Sequence, residues 1–497
     1  MRKLVLLLFS FINLFFAQGQ SKPFPQAISW PGIIKPSLYT QTQLNSDVQS
    51  RYTHWKENYL KNNLSSLVGG YYVAGDVTGS QEGYTALGSS ESQGFGMIVT
   101  VLMAGNDPNA KTYFDGLHKT YRSYFSSINP KLMGWVVADD KTAQNHFDSS
   151  TDGDLEIAYA LLLANEQWGS DGAINYLQEA KDMINDGIKI SDMTTTSKRT
   201  NLGDWSTNQY NTRPSDWMTD HMRAFQKATN DSYWQQAADT VYAMINSIRT
   251  NYSASTGLIP DFVVNKIPQP APANFLEDKT DGDFSWNACR VPWRIAMDYV
   301  HYKTPDAKKE LDIFVNWAKS KTSNKPQNFT AGYKLNGTPL VTYNDISFIS
   351  PLMAASTVNQ NNQDFLNTGW ELMRTWNGTY YDESINLLCM LFISGNWWKP
   401  FADSSSEVYS PSSEIQDIAL YPNPMTGDYL KIKLPASCDQ TIVSIYDISG
   451  RLVVNESFYK TNFINLNKLE NLMNGVYLVE VQNNENNWTK KIIVSRQ

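Results

Sequence analysis

Residues 150–164 have the sequence STDGDLEIAYALLLA and predict a helix that begins at a polar turn. Ser, Thr and Asp immediately before an apolar run are typical of a helix N-terminus, where their side chains satisfy free backbone N–H groups. The run itself consists mostly of Leu and Ala, which have high helix propensity. After Glu156 it is apolar on every side, so we expect a helix buried inside a large helical domain.

The same pattern extends in both directions from about residue 26 to residue 402. Further helices are expected at 96–104, 173–184, 232–248, 292–302 and 385–393, separated by Gly, Asn, Asp, Ser and Pro and without intervening strands. About 375 residues of paired helices exceed a simple bundle. The sequence therefore predicts an all-α, α/α toroid in which roughly a dozen helices close into a ring.

The composition changes at residues 403–414, where SSSEVYSPSS (404–413) predicts an extended linker. Beyond it, alternating apolar residues predict strands at 430–434, 441–446, 476–481 and 490–494, with turns at 447–450 and 472–475. Residues 415–497 are therefore expected to form a small separate β-sandwich domain.

The N-terminus predicts export. Arg2 and Lys3 precede an apolar stretch, and small or polar residues follow at 17–19, which is the pattern of a secretory signal peptide over residues 1–19. The apolar stretch is shorter than the roughly 20 residues that span a bilayer. We therefore expect a secreted protein, extracellular or at the cell surface, with no membrane span in the mature chain.

Composition narrows the classes of partner. The formal charge is −8 and no Lys/Arg-rich run occurs among the 497 residues, which argues against nucleic acid and anionic membranes as partners. Aromatic residues make up 13% of the chain, enough for a carbohydrate groove, although core packing uses the same residues.

Cys289 and Cys389 could form a disulfide bridge, but two buried free thiols are favoured. A monomer is expected.

Three segments place polar residues at the start of an apolar helix, where backbone N–H groups and the helix dipole face a ligand. They are residues 89–97 with Glu91, the 150–164 stretch with Asp152, and residues 287–294, NACRVPWR. A carboxylic acid beside apolar neighbours can have the raised pKa that a general acid requires. Ordinary helix capping remains the alternative at each position.

These segments resemble glycoside hydrolase family 8. The TDGD turn leading into an A-x-A-L-L-x-A helix resembles a signature of that family, and Glu91 with Gly94, Phe95 and Gly96 is similar to the stretch that carries its general acid. Residues 287–294 and 380–396 resemble two further family segments in the same order. The resemblance implies a six-hairpin α/α barrel, inverting hydrolysis, Glu91 as proton donor, and Asp152 gripping the distorted sugar.

The catalytic base departs from the commonest family pattern. Many members have an aspartate where this chain has Asn287, and an amide cannot take a proton from water. A branch of the family that includes chitosanases and lichenases takes its base from a glutamate on an inserted loop. Residues 267–283, IPQPAPANFLEDKTDGD, form such a loop here, and Glu277 is the candidate. The neighbouring carboxylates are competitors: Asp278, Asp281 and Asp283.

The resemblance also suggests substrate contacts. The candidate positions are Trp135, Trp205, Asp216, Trp217, Asn287, Arg290 and Tyr380. Asp216 stands where relatives often have an aromatic residue, and a carboxylate in the groove would suit a protonated amino sugar by charge-assisted hydrogen bonding. It would suit a sugar hydroxyl almost as well.

Residues 415–497 resemble the C-terminal sorting domain of the type IX secretion pathway. The resemblance rests on YPNP (421–424), DISGR (447–451), NGVY (474–477) and the strand at 490–494. It implies that this domain is an address for the type IX secretion machinery and carries no catalysis. A carbohydrate-binding β-module is the alternative, because strand patterns alone do not separate the two.

The sequence thus favours an endo-acting hydrolase of a β-1,4-linked polysaccharide, with chitosan ahead of mixed-linkage β-glucan, and with cellulose and xylan behind. A non-catalytic glycan-binding protein would be favoured had Glu91 or every candidate base been lost. A polysaccharide lyase would require a Tyr, His or Lys base against a neutralised uronate, so it ranks last. No metal cluster, phosphate-binding loop or nucleophilic Ser/His arrangement is evident, so no metal or cofactor is expected.

Overall fold

The computed structural model describes residues 20–401, 418–448, 450–467, 469–483 and 487–496. The signal peptide predicted at 1–19 and the linker predicted at 403–414 lie outside the described residues. The chain divides into two compact units, Met1–Ser410 and Pro411–Gln497. Among the described residues, no helix is both long and apolar enough to cross a membrane.

Twelve α-helices lie in the described part of the first unit. In chain order they are α1 (Gln41–Tyr59), α2 (Ser90–Leu102), α3 (Ala110–Ser123), α4 (Thr151–Trp168), α5 (Tyr176–Asp182), α6 (Thr219–Thr229), α7 (Tyr233–Tyr252), α8 (Val291–Tyr302), α9 (Pro305–Lys321), α10 (Ile346–Ser356), α11 (Gln363–Thr375) and α12 (Tyr380–Ile393). A π-helical segment, Met183–Asp192, continues α5.

The even-numbered helices form a closed inner ring. Helix α2 packs against α4, α4 against α6, α6 against α8, α8 against α10, α10 against α12, and α12 returns to α2. Each odd-numbered helix packs outside an inner one, so the ring consists of six helical hairpins. Inner helices such as α2 and α10 are buried on every side, whereas outer helices bury one face. The predicted α/α toroid is confirmed.

The expectation that no strands intervene between the helices was wrong. Seven short strands lie in the connecting segments: β1 (Leu60–Lys61), β2 (Tyr72–Val73), β3 (Gly79–Gln81), β4 (Tyr84–Ser89), β5 (Val136–Ala138), β6 (Val263–Val264) and β7 (Gln269–Pro270). Six of them have only two or three residues, too few for an alternating pattern to reveal, and the six residues of β4 do not alternate between polar and apolar. Strand β4 pairs with β3 and β5 and leads directly into α2, so it fixes where that helix begins.

The second unit is built on strands. They are β8 (Ala419–Tyr421), β9 (Leu430–Asp447), β10 (Leu452–Leu466), β11 (Gly475–Asn483) and β12 (Asn487–Val494). The long strand β9 pairs with β10 along its length, with β8 near its start and with β11 near its end, and β12 pairs with β11. These antiparallel pairs form one five-stranded sheet with its own hydrophobic cluster. A two-layered sandwich stays a prediction.

Candidate active site

Glu91 lies in the first turn of α2, close to the start of α4. Ser89 caps α2 by accepting a hydrogen bond from the Ser92 backbone N–H at 3.1 Å. A Cβ atom on Gly153 would lie 2.3 Å from the Ser90 Oγ, and one on Gly94 would lie 2.5 Å from the Glu156 Cβ. Only glycine therefore allows α2 and α4 to pack this closely, and their packing brings the two catalytic candidates together.

Asp152 occupies the corresponding position at the start of α4. It is 5% exposed, and its carboxylate accepts hydrogen bonds from the Ser150 Oγ at 2.7 Å and the Gly153 backbone N–H at 2.9 Å. Two arginines face its other oxygen: Arg213 at 3.3 Å and Arg290 at 3.8 Å. Asp152 is thus held in one orientation by its own helix start and by two cations.

Arg290 joins the two helix starts. It lies in a short 3₁₀ turn just before α8 and is 3% exposed. Its Nη1 forms the ion pair with Glu91 and approaches Asp152, while its Nη2 donates to the Asn287 Oδ1 at 2.8 Å. The planar guanidinium therefore contacts both acidic helix starts and the amide that stands in the expected base position.

Glu277 contacts the same group of residues from the loop. The Arg213 Nη2 donates to its Oε1 at 3.0 Å, and the Asn287 Nδ2 donates to its Oε2 at 2.7 Å. Its side chain is 45% exposed, so water can reach the carboxylate. The contacts form a closed circuit of five residues, Arg290, Asn287, Glu277, Arg213 and Asp152. Glu91 joins this circuit through its ion pair with Arg290.

The three neighbouring loop carboxylates make different contacts. Asp281 is buried, and its two oxygens accept the backbone N–H groups of residues 276, 277 and 278 at 2.7, 3.1 and 2.9 Å. Asp281 therefore holds the loop turn that carries Glu277. Asp278 is exposed, and its carboxylate accepts a hydrogen bond from the backbone N–H of the next residue. Asp283 is partly buried, which raises the pKa of its carboxyl group. Of the four, Glu277 is the one for which contacts with Arg213 and Asn287 are observed.

Two predicted stacking residues have exposed aromatic surface. Trp205 is 40% exposed. Trp135 is half-buried, packs edge-on against Phe147, and accepts a backbone hydrogen bond from Ser90 at 3.1 Å, one residue before Glu91. Both can offer an apolar ring face to a sugar.

Three other predicted substrate contacts are buried in this structure. Asp216 and Trp217 have no exposed surface, and the Trp217 Nε1 donates to the Thr212 Oγ1 at 3.0 Å inside the core. Burial raises the pKa of Asp216 well above its usual range, which favours the neutral acid. Tyr380 is 2% exposed and packs edge-on against Tyr59. These side chains present little or no surface to a sugar in this conformation, and their contact with substrate stays a prediction.

The sequence analysis missed two aromatic residues beside the site. Trp286 precedes Asn287 and is 41% exposed. Tyr381, next to the predicted Tyr380, is half-buried, donates to the Trp286 carbonyl, and lies 5.9 Å from the Arg290 guanidinium. On α12 a one-residue step turns a side chain by about 100°, and the apolar pattern of a fully buried helix start does not reveal which Tyr faces outward.

Asp76 is a further carboxyl group that the sequence analysis did not identify. It accepts a hydrogen bond from the Ser89 Oγ at the start of α2. Removal from solvent and the nearby Asp152 carboxylate raise its pKa to about 6, against the opposing influence of Ser89 and Arg290. Asp76 lies in the loop between β2 and β3, in a segment without a helix or strand pattern, so no signal in the sequence marked it.

Cys289 and Cys389 are both buried and free, so the favoured buried thiols are confirmed and the bridge is not formed. Among the described residues, no group of three or more His, Cys, Asp or Glu side chains is placed to bind a metal ion.

The chain is similar to known proteins in sequence and in fold. The chain is 52% identical over 400 residues to an endoglucanase of Bacillus sp. (strain KSM-330), covering 80% of this chain and 86% of that protein. It is 43% identical to a β-glucanase of Niallia circulans, covering 76% and 91% of the two chains. The apo structure of a β-1,3-1,4-glucanase from Paenibacillus sp. X4 superposes with a TM-score of 0.72 at 42% identity, covering 77% of this chain and all of that one.

More distant structures share the fold alone. A reducing-end xylose-releasing exo-oligoxylanase, 17% identical, superposes with a TM-score of 0.60 over 75% of this chain and 97% of that one.

Family assignments cover both units. Residues 419–495 match the secretion system C-terminal sorting domain, which confirms the predicted type IX sorting domain and indicates export to the cell surface or beyond. Residues 39–395 match glycosyl hydrolases family 8. The chain therefore belongs to glycosyl hydrolases family 8 and is an O-glycosyl hydrolase that acts on β-glycans.

Proposed function

We propose that the protein is an endo-acting, inverting β-glucanase that prefers mixed-linkage β-1,3-1,4-glucan. The observation that carries the proposal is the network of contacts that links Glu91, Asp152 and Glu277 through two arginines and Asn287. It brings a buried carboxyl group and a solvent-accessible one to the same site, as hydrolysis with inversion requires.

In the proposed reaction, Glu91 donates its proton to the glycosidic oxygen as the bond from that oxygen to C1 breaks. Glu277 accepts a proton from a water molecule, whose oxygen bonds to C1 from the opposite face and inverts the anomeric configuration. Asp152 binds the distorted sugar ring. Glu91 is paired with Arg290 in this structure, so proton donation requires its carboxyl group to turn from Arg290 toward the glycosidic oxygen. Proton exchange with solvent then restores both carboxyl groups.

The substrate assignment differs from the one that the sequence favoured. Chitosan was favoured by the acidic balance of the chain, by the loop-borne base and by Asp216, which could meet an amino group. Asp216, however, has no exposed surface, and burial favours its neutral form. The similar proteins are named endoglucanase, β-glucanase and β-1,3-1,4-glucanase. A neutral glucan therefore suits the site better, with mixed-linkage β-glucan first and β-1,4-glucan second.

The proposal is tested by reducing-end release from lichenan, carboxymethylcellulose, chitosan and xylan, together with NMR detection of the first anomer formed. We expect lichenan to be cut fastest, with the α-anomer as the initial product. Glu91→Gln and Glu277→Gln should each lower kcat by about 10³-fold or more, because each removes a proton-transfer group. Asp278→Asn, an exposed change in the same loop, is the matched control. Fastest cleavage of chitosan would contradict the substrate assignment, and an active Glu277→Gln variant would contradict the base.

A further inference from the structure

We infer that Arg213 is the positioning residue of this site: its two guanidinium nitrogens hold the base Glu277 and the sugar-binding Asp152 at a fixed separation. The inference rests on the proposed function, because it assigns a role to the residue between two proposed catalytic groups.

The geometry of Arg213 suits this role. It lies just before the 3₁₀ turn Pro214–Asp216 that leads toward α6, and its side chain is 11% exposed. One nitrogen, Nη1, lies 3.3 Å from Asp152, and the other, Nη2, lies 3.0 Å from Glu277. Because the guanidinium is planar and rigid, these two bonds fix the relative placement of the carboxylates. A lysine has one flexible ammonium group and cannot reproduce both bonds in the same geometry.

A small apolar cluster holds Arg213 and the base loop together. The guanidinium lies 5.5 Å from the Phe262 ring, and Phe262 packs against Phe275, two residues before Glu277. Phe262 belongs to a small cluster that is separate from the main core. The buried members of this small cluster are Leu202, Phe262, Val264 and Ala271. Arg213 is thus supported on its apolar side by the same residues that anchor the loop, so its orientation and that of Glu277 are set together.

The charges around the arginine keep it cationic. Burial alone would lower the pKa of the Arg213 guanidinium, but four surrounding carboxyl groups outweigh it and the net pKa is raised. These groups are Asp216, Asp152, Glu277 and Asp261. Glu277 in turn accepts hydrogen bonds from one cation, Arg213, and from the neutral Asn287. Removing the arginine would leave the Glu277 side chain with the Asn287 amide alone and would break its link to Asp152.

The test compares wild type, Arg213→Gln, Arg213→Lys, Glu277→Gln and the double variant Arg213→Gln/Glu277→Gln, with kcat and KM on lichenan measured across pH. Arg249→Gln is the matched control, because Arg249 is also a partly buried arginine paired with a carboxylate, Glu310, but joins two outer helices. Thermal midpoints separate loss of stability from loss of function.

We expect Arg213→Gln to lower kcat by about 100-fold, the cost of a catalytic group displaced by about 1 Å, with a much smaller change in KM. Arg213→Lys should restore little of kcat, because one ammonium group cannot hold both carboxylates in the same geometry. In the Glu277→Gln background, removal of Arg213 should cost less than it does in wild type, since one of the two groups that it positions is already absent.

Two results would overturn the inference: a kcat of Arg213→Gln that matches wild type, or losses that multiply fully in the double variant. Either result with an inactive Glu277→Gln leaves the proposed base in place. An active Glu277→Gln overturns the base assignment and this inference together. If Arg213→Gln does not fold, Arg213→Lys decides the question, because a kcat equal to that of wild type would show that the two-pronged contact is not needed.

Discussion

Single residues around the site divide into those with accessible surface and those without it. Trp286, Trp205 and the half-buried Trp135 and Tyr381 have ring surface that a sugar could reach, whereas Trp217 and Tyr380 are packed in the core. The chemistry of Trp and Tyr is the same in both sets, and burial alone decides which can stack on a sugar.

Trp286 provides a prediction at this scale. We expect Trp286→Ala to raise KM for lichenan by about three- to tenfold, because an exposed aromatic face contributes about 0.5–1.5 kcal/mol to stacking. Its kcat should change less, since Trp286 makes no observed side-chain hydrogen bond to the catalytic carboxylates. Steady-state kinetics measures this, and binding of an oligosaccharide to the inactive Glu91→Gln enzyme gives an independent affinity. An unchanged KM in both assays would remove Trp286 from the substrate path.

Candidate site residues could be predicted from the sequence where a residue of suitable chemistry stands at a recognisable position, such as the start of an apolar helix. Glu91 and Asp152 begin apolar helices, which the sequence shows, and Glu277 follows from the chemical need for a base once Asn287 is seen. Arg213 and Asp76 could not be found in this way. Their importance arises from partners more than 10 residues away in the chain, at Asp152, Glu277 and Ser89.

At the scale of elements, buried polar groups hold the start of α4 in place. Asp154, in the first turn of α4, and Asp192, at the end of the π-helical segment, are both fully buried. Asp154 accepts the Met133 backbone N–H at 2.9 Å, and Asp192 accepts the Ser149 Oγ at 3.1 Å. Burial and the nearby Asp192 raise the pKa of the Asp154 carboxyl group well above its usual range, so the pair favours retention of a proton.

This pair predicts a pH dependence of stability. Burial and the neighbouring Asp204 raise the pKa of Asp192 to about 8, whereas an aspartate in the unfolded chain titrates near pH 4. The unfolded chain therefore releases a proton that the folded protein keeps, and the free energy of unfolding decreases as pH rises from about 4 to about 8. One such group contributes at most about 1.4 kcal/mol per pH unit.

Asp192→Asn should flatten this decrease, because an amide cannot ionise and can donate to an ionised Asp154. Denaturant unfolding at several pH values between 4 and 8 measures the slope. The exposed Asp171→Asn is the control for removal of one acidic group. Equal slopes in wild type and Asp192→Asn would show that the pair does not retain its proton.

The helices themselves were predicted well where they are apolar and less well at their polar ends. The sequence predicted a helix at 96–104, whereas α2 begins at Ser90, so the polar residues of its first turn were placed before the helix. The same occurred at α12, which begins at Tyr380 and was predicted from residue 385. These first turns are stabilised by caps and by tertiary contacts, which hydrophobic periodicity does not detect.

At the scale of the whole molecule, each of the two units has its own core and its own set of helices or strands. The inner ring closes through contacts between α2 and α12. All six helical hairpins contribute to this ring, and all six lie in the first unit. The second unit has its own hydrophobic cluster, and its sheet is formed by its own five strands. The change from helical to alternating periodicity near residue 415 was sufficient to predict two units.

A chain that ends at Ser410 should therefore keep the kcat and KM of the full protein on lichenan, because the circuit around Glu277 lies within the first unit. Its thermal midpoint should also stay within about 2 °C, since no core residue of the helical ring is removed. In a host with the type IX secretion machinery, the shortened chain should fail to reach the cell surface or the medium. The experiment compares activity of the purified chains with immunodetection of each chain in the periplasm, at the surface and outside the cell. Full export of the shortened chain would show that residues 411–497 are not its address, and a large loss of kcat would show that the second unit contributes to catalysis.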